Sequence, residues 1–486
     1  MLLSPPKLSL LVALATATLA LSVANAQEAA PAAVPALTPD LAQRLDDIEQ
    51  QARIANRRAE LLEEATALKK KEGPTYQADE KGFGLASADK AYEVKIRGLV
   101  QVDGRRIMGA GASDPVLSDR DTFLVRRLRP IIDGTVLGLV DFRLMPDFGN
   151  GQVALLDGYI DAHPRPWLRL RAGKFKPPVG LERLQNDASL PLMERALDAN
   201  FTPTRDVGLQ LYGDIANAIV RYEIAIFNGV PDAAQNDLDN NHAKTYAGRL
   251  FFRPFQADAF RGFGDLGFGI AFSTGNEKGS STVTNGAASN TWLSSFRSFG
   301  QNTIFSYLSS TTDPNQTVFA LKRHTRVNPQ LYYYTGPIGL LAEWVREYQE
   351  LGKGTQTGAV NNNSGHVTLS YVIGGDNSYD GAKPRKVADW ATKELGAVEL
   401  AARYNWIDFD DVVFQGSTLA DATKSVRSAQ GFDFGVNWYL SRNVKVSGNW
   451  AQTSFDGGSS VTRSGAKVIT DRTTEKILAG RFQVAF

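Results

Sequence analysis

The strongest constraint on this 486-residue chain is a two-residue hydrophobic period that runs from about residue 92 to the end. Leu478, Gly480, Phe482, Val484 and Phe486 fall on one face, and Ala479, Arg481, Gln483 and Ala485 on the other. The same split recurs with Val398, Leu400, Ala402, Tyr404 and Trp406 against Glu399, Ala401, Arg403 and Asn405. It recurs again with Val220, Tyr222, Ile224 and Ile226 against Arg221 and Glu223. Alternation of this kind marks strands with one apolar and one wet face. A soluble sandwich alternates too, so other features must decide between sandwich and membrane barrel. The repeats run about 9–12 residues, right for a tilted membrane span. Trp344, Trp406, Trp438 and Trp450 sit near strand ends, as an interfacial girdle would. The pattern closes on an outward Phe486, and turns alternate short (Pro337-Ile338, Ser441–Asn443) with long (275–318, 352–365).

Strands are predicted to start near 94, 121, 138, 153, 168, 206, 219, 244, 265, 322, 338, 365, 396, 430, 443 and 475. The expected fold is therefore an all-β transmembrane barrel of sixteen antiparallel strands over 92–486, preceded by a short N-terminal coiled-coil helix. An even count suits a single-chain barrel, and about sixteen strands leave a water-filled lumen.

Ahead of the barrel, Lys7, an apolar run from Leu8 and the small-residue site Ala24-Asn25-Ala26 read as a signal peptide over 1–26. Residues 27–40 are an Ala/Pro linker. Leu41, Leu45, Ile48, Ala52, Ala55, Ala59 and Leu62 recur at steps of four and three, which predicts a periplasmic coiled-coil helix over 41–72, stopped by Gly73-Pro74. A single solvated helix is the other reading of that seam.

Several function classes fall away. There is no cysteine, so thiol nucleophiles and Cys-zinc sites are excluded. His163, His242, His324 and His366 are far apart, in no metal-ligand spacing and in no G-x-S-x-G context. No enzyme, metal or cofactor is expected. The formal charge of +1 falls to zero once Lys7 is removed, which gives no global field for nucleic acid.

Charge on a lipid-facing strand position costs about 2–4 kcal/mol for Arg or Lys at mid-depth. Strand-borne cations should therefore face the lumen: Lys95, Arg97, Arg105, Arg143, Arg169, Arg171, Arg221, Arg249, Arg253, Arg403 and Arg481. They are densest over 165–183, where Arg165, Arg169, Arg171, Lys174, Lys176 and Arg183 face Glu182 alone. The planar guanidinium fork stays charged and bonds two oxyanion oxygens at once. The competing reading is a general polar wall, with these arginines spent on Asp103, Asp141, Asp157, Asp161 and Glu223. Two positions break the pattern. Arg126 and Arg127 cannot both face inward on a regular strand, and Lys174 falls on the face of Leu168 and Leu170; a bulge or a rim position would resolve either.

Gly173-Lys-Phe-Lys-Pro-Pro-Val-Gly-Leu-Glu-Arg183, Leu192-Met-Glu-Arg-Ala-Leu197 and Phe201-Thr-Pro-Thr-Arg-Asp-Val-Gly208 resemble the phosphate-selective porin O and P family. So do Leu331-Tyr-Tyr-Tyr-Thr-Gly-Pro-Ile-Gly-Leu-Leu-Ala-Glu-Trp344, Lys383-Pro384 and Glu399-Leu-Ala-Ala-Arg-Tyr404. The resemblance implies a homotrimer of outer-membrane barrels with pores narrowed by inward-folded segments. It implies that 181–205 is the constricting loop and that 374–394, with Lys383, Arg385 and Lys386, folds back into the lumen. By motif position, Arg183 and Arg195 would hold the anion, Arg126 and Arg127 would form the adjacent wall pair, and Asp157 or Asp161 an acidic wall residue. Asn186 and Asp187 stand where serines would accompany the loop cation, and Arg129 where the wall would carry an aromatic.

The expected function is passive diffusion of small anions, plausibly phosphate, through an arginine/lysine-lined pore, with outer-membrane lipid as the surrounding partner. The alternatives are a weakly selective porin for polar or acidic solutes, or an envelope tether acting through the helix.

Overall fold

The computed structural model describes residues 39–486 apart from 109–120, 236, 238, 240, 241, 256–264, 285, 286, 289 and 416–418. The expected signal peptide and nearly all of the linker lie outside the described residues. The chain divides into two units, Met1–Glu72 and Gly73–Phe486.

Among its described residues the first unit has a 34-residue helix, α1 (Pro39–Glu72). Gly73-Pro74 follows it directly, since proline forbids continuation. Ile48 and Leu62 of the heptad seam stand 61% and 67% exposed.

The second unit is a closed barrel. Its sixteen strands are β1 (Glu93–Met108), β2 (Thr122–Val136), β3 (Val140–Asp147), β4 (Ala154–Arg165), β5 (Leu168–Phe175), β6 (Asp206–Ile215), β7 (Val220–Phe227) and β8 (Thr245–Phe252), followed by β9 (Asp265–Lys278), β10 (Val318–Thr335), β11 (Ile338–Lys353), β12 (Gln356–Ile373), β13 (Ala397–Asp408), β14 (Val426–Tyr439), β15 (Val444–Arg463) and β16 (Glu475–Ala485). Each pairs antiparallel with the next, and β16 closes on β1 from Lys476↔Met108 to Ala485↔Leu99. A small hairpin, Thr75–Asp79 with Gly82–Ala86, continues the wall beside β1, where Phe83 meets Phe486 edge-on at 5.9 Å.

The alternation behaves as expected. Ile160, Leu170, Ile224, Leu400, Phe432, Phe434, Leu478 and Phe482 point outward and exposed. Arg403, Asp433, Asn437, Asn449 and Arg481 point inward and are buried. An apolar belt of this extent is stable only against lipid.

One end of the barrel carries tight turns and the other long loops. Two departures from expectation are instructive. The stretch 352–365 is strand, not loop: β11 and β12 continue to a two-residue turn at Gly354-Thr355. Likewise β10 and β14 begin four residues before the predicted 322 and 430. At this loop end the lumen is filled. Phe296, Ile304 and Phe305 between β9 and β10, and Phe409 and Val413 between β13 and β14, pack together and bury Val318, Val360 and Val426 of the wall. The apolar face there points inward and the polar face outward, so the greasy-outside signature fades while the strands persist.

Candidate functional site

Pro177-Pro178 ends β5 by removing ladder donors, and the chain turns into the lumen as loop 176–205. Gly180 takes φ +86°, a left-handed value that favours glycine, and a Cβ there would meet Arg183 at 2.8 Å. A short helical turn over Leu181–Leu184 follows. Its first N–H groups point at the wall carboxylate of Glu343, which accepts from Leu181 at 2.6 Å and Glu182 at 2.8 Å. That pairing satisfies the unpaired donors of a helix start.

Wall side chains fix the rest of the loop. Asn437 donates to the Pro191 carbonyl at 2.7 Å, Arg481 to Met193 at 2.8 Å, and Lys445 to Leu190 at 3.0 Å. His366 Nδ1 lies 2.8 Å from Asp198, within reach of Glu343. His324 likewise meets Glu277 and Glu347, both at 2.8 Å. Linear spacing gave no hint of either cluster, because the barrel register brings the partners together across strands.

The loop divides the lumen. On the loop side lies a cavity of about 510 Å³ lined by Arg126, Arg127, Arg183, Arg195 and Arg297 against Glu194 and Asp232. On the turn side lies a cavity of about 770 Å³ lined by ten Arg/Lys and five Asp/Glu. Both walls therefore carry excess positive charge.

At the boundary sits Asp187, buried at 4% exposure. Arg195 donates to it at 2.5 Å, Arg127 approaches at 3.4 Å, and Arg129 bonds its second oxygen. Burial pushes this carboxyl up, but Arg127, Arg195 and Arg129 hold it well below the ordinary range. Glu194 is the second hub. Arg126 grips both its oxygens, at 2.8 and 2.9 Å, and Arg105 reaches it at 2.5 Å.

Arg126 and Arg127 both face inward because of a bulge. Gln101 pairs Arg127 and Val102 pairs Val125, so Arg126 is the extra residue. A bulge re-aims one side chain without disturbing the strand beyond it.

Arg183 differs from its neighbours. It donates to Thr202 Oγ1 at 3.1 Å and to the Ala199 carbonyl, and has no carboxylate partner among the described residues. Lys176, on the turn side, likewise bonds only carbonyls, of Gln185 at 2.7 Å and Leu184 at 3.4 Å. Burial and then Arg195 and Arg205 pull the Arg183 guanidinium down to about 9. Burial, then Arg205 and Arg195, hold the Lys176 ammonium well below its usual value. Both groups are crowded by like charge, the condition an incoming anion relieves.

Several expected pore-lining residues have other placements. Arg403 faces inward but is covered by the loop, bonding Asp433 at 2.8 Å, Glu182 at 3.0 Å and the Glu194 carbonyl at 3.0 Å. Arg105 is similarly enclosed by Asp103 and Glu194. Lys174 shares the outward side with Leu170, where Asp237 of segment 228–244 covers it at 2.6 Å. These three fall outside both cavities. The reason is common to them: parity fixes which side of the wall a residue faces, not what covers it.

Arg171, Arg249, Lys383 and Asp157 do line the turn-side cavity, and Arg169 an adjoining cleft. Asp157 pairs Arg205 at 3.2 Å, and Asp161 takes Arg171 at 2.7 Å. Segment 374–396 reaches the loop from the turn side. Its Tyr379 donates to the Leu181 carbonyl at 2.6 Å, and its Tyr379 and Asp380 carbonyls accept from Gln185 at 2.7 Å and Ser189 at 2.6 Å. Sequence reasoning missed Glu194 and Arg205 as partners, although both lie inside the quoted motifs.

Residues 94–486 match the family of phosphate-selective porin O and P. The chain belongs to this family. It is an outer-membrane porin barrel whose loop 176–205 folds into the lumen. Porin O of Pseudomonas aeruginosa is 22% identical over 417 residues, covering 77% of this chain and 86% of that protein. Among solved structures, the anion-selective porin from Comamonas acidovorans is similar at TM-score 0.49 and 11% identity, covering 81% of this chain and all of the other. The outer membrane channel DcaP of Acinetobacter baumannii is similar at TM-score 0.49 and 10% identity, over 82% of this chain and 98% of that one.

Proposed function

We propose that this porin passes small anions by passive diffusion, phosphate among them, past Arg183 on the loop side and Lys176 on the turn side of the constriction. The observation that carries the reading is that these two cations bond only neutral oxygens while Arg126, Arg127, Arg195 and Arg205 around them are ion-paired. An anion entering from either side meets positive charge that no carboxylate has neutralised. Arg126, Arg127 and Arg195 shape the passage and hold the hubs Glu194 and Asp187. Conduction needs exit as well as entry, and a paired wall keeps the site from binding too tightly. Titrating phosphate against single-channel chloride current tests this: block at millimolar phosphate supports it, and no block leaves a weakly selective pore. Asp187 favours that second reading, since it offsets charge on three arginines where the loop meets the wall.

The barrel is the transporting unit, and α1 is read as a periplasmic coiled coil that holds a homotrimer together or tethers it. Its exposed heptad seam supports that assignment.

A further inference from the structure

The turn-side cavity carries a feature that transport of inorganic anions does not explain. Phe251 of β8 packs on Tyr332 of β10, ring centroids 5.2 Å apart, and Tyr332 stacks on Tyr379 of segment 374–396 at 5.2 Å and 26°. All three line the cavity. Gly267 makes room for the ladder: a Cβ there would come within 2.5 Å of Phe251 and 2.6 Å of Tyr332. One ring has a local purpose, because Arg249 lies over Phe251 at 4.3 Å and is held by it. Among the described residues no cation lies over Tyr332 or Tyr379. Tyr332 packs against Phe251, Tyr379 and also Tyr334 at 5.6 Å, whereas Tyr379 ends the ladder and is half-buried.

The face of an aromatic ring is electron-rich, so chloride or phosphate gains nothing from it. A solute gains only if it brings a ring or apolar surface of its own. Beside the ladder, Arg253 follows Phe251 by two residues and lines the same cavity. Its Nη2 donates to Asp214 at 2.8 Å, while its buried Nε has no partner among the described residues. An open ring position and the Arg253 guanidinium thus line one space. Asp265 and Asp380 also line it, outnumbered by the cavity's cations.

Resting on the anion-porin reading above, we infer that the turn-side cavity binds aromatic carboxylates, the ring stacking on Tyr379 at the end of the Phe251–Tyr332–Tyr379 ladder and the carboxylate meeting Arg253.

The test is block of chloride current through the full-length porin in planar bilayers by benzoate and by acetate. Benzoate blocks at about tenfold lower concentration than acetate, which is the ~1.4 kcal/mol of one stacking partner. Tyr379→Leu and Tyr379→Phe both lose the hydroxyl bond to Leu181 and share any loosening of the loop. Tyr379→Phe keeps the ratio, and Tyr379→Leu brings it toward one. Equal block by the two acids in the wild type overturns the inference, as does a ratio that survives Tyr379→Leu or collapses in Tyr379→Phe. Cation preference in a salt gradient would instead end the anion-porin reading itself.

Discussion

Arg195 and Asp187, eight residues apart on the loop that folds into the lumen, meet at 2.5 Å. The same carboxylate draws in Arg127 and Arg129 from β2, so one acid fixes three guanidiniums. The loop tip is thereby bonded to the wall, and the charge of the eyelet is set by one side chain.

Asp187→Asn should therefore sharpen anion preference. It keeps the shape and some hydrogen bonding but releases one negative charge. Phosphate should block chloride current at about three- to tenfold lower concentration, about one charge-assisted contact. Single-channel titration checks this, and weaker block would show that Asp187 holds the arginines where the anion needs them.

Arg183→Ala combined with Arg195→Ala should lower anion preference and phosphate block together. Arg183 brings charge that no acid offsets, and Arg195 holds Asp187 in place. Bi-ionic potentials with chloride and phosphate salts check it, and unchanged selectivity would remove both residues from the passage.

Arg403→Ala should act on stability instead. It leaves Glu182 and Asp433 buried without their shared partner, a loss of about 3–5 kcal/mol for a broken buried pair. The loop should loosen, seen as noisier current and earlier thermal unfolding in detergent. A quiet channel of normal stability would mean the loop is held by its other anchors alone.

Alkaline pH should weaken anion binding. Burial, then Arg205 and Arg195, hold the Lys176 ammonium well below its ordinary value. A group with a lowered value loses its proton, and its attraction for anions, as pH rises through that value. Phosphate block, allowing for phosphate's own ionisation, should weaken progressively between neutrality and pH 10. Lys176→Arg should retain block to higher pH.

The wall was legible in the sequence because its physics is local. Parity separated Leu478 from Arg481 and Leu400 from Arg403, and lipid on one side with water on the other enforced it. Where loops fill the lumen, around Val318 and Val360, the rule lost its premise and the strand starts shifted. The site was half legible. Motifs pointed to Arg183, Arg195 and the loop, and the conflict at Arg126-Arg127 foretold a bulge. Whether an inward arginine meets water or protein depends on a loop folded back from a distant part of the chain. Arg403 and Arg183 looked alike in sequence for that reason, yet one is an anchor and the other faces the passage.

The most direct measurement is the zero-current potential of the purified porin in a planar bilayer across a tenfold KCl gradient. A potential on the chloride side of zero, reduced in Arg183→Ala, is the predicted result. A potential on the potassium side would contradict the account, because a lumen with excess fixed guanidinium charge cannot favour cations.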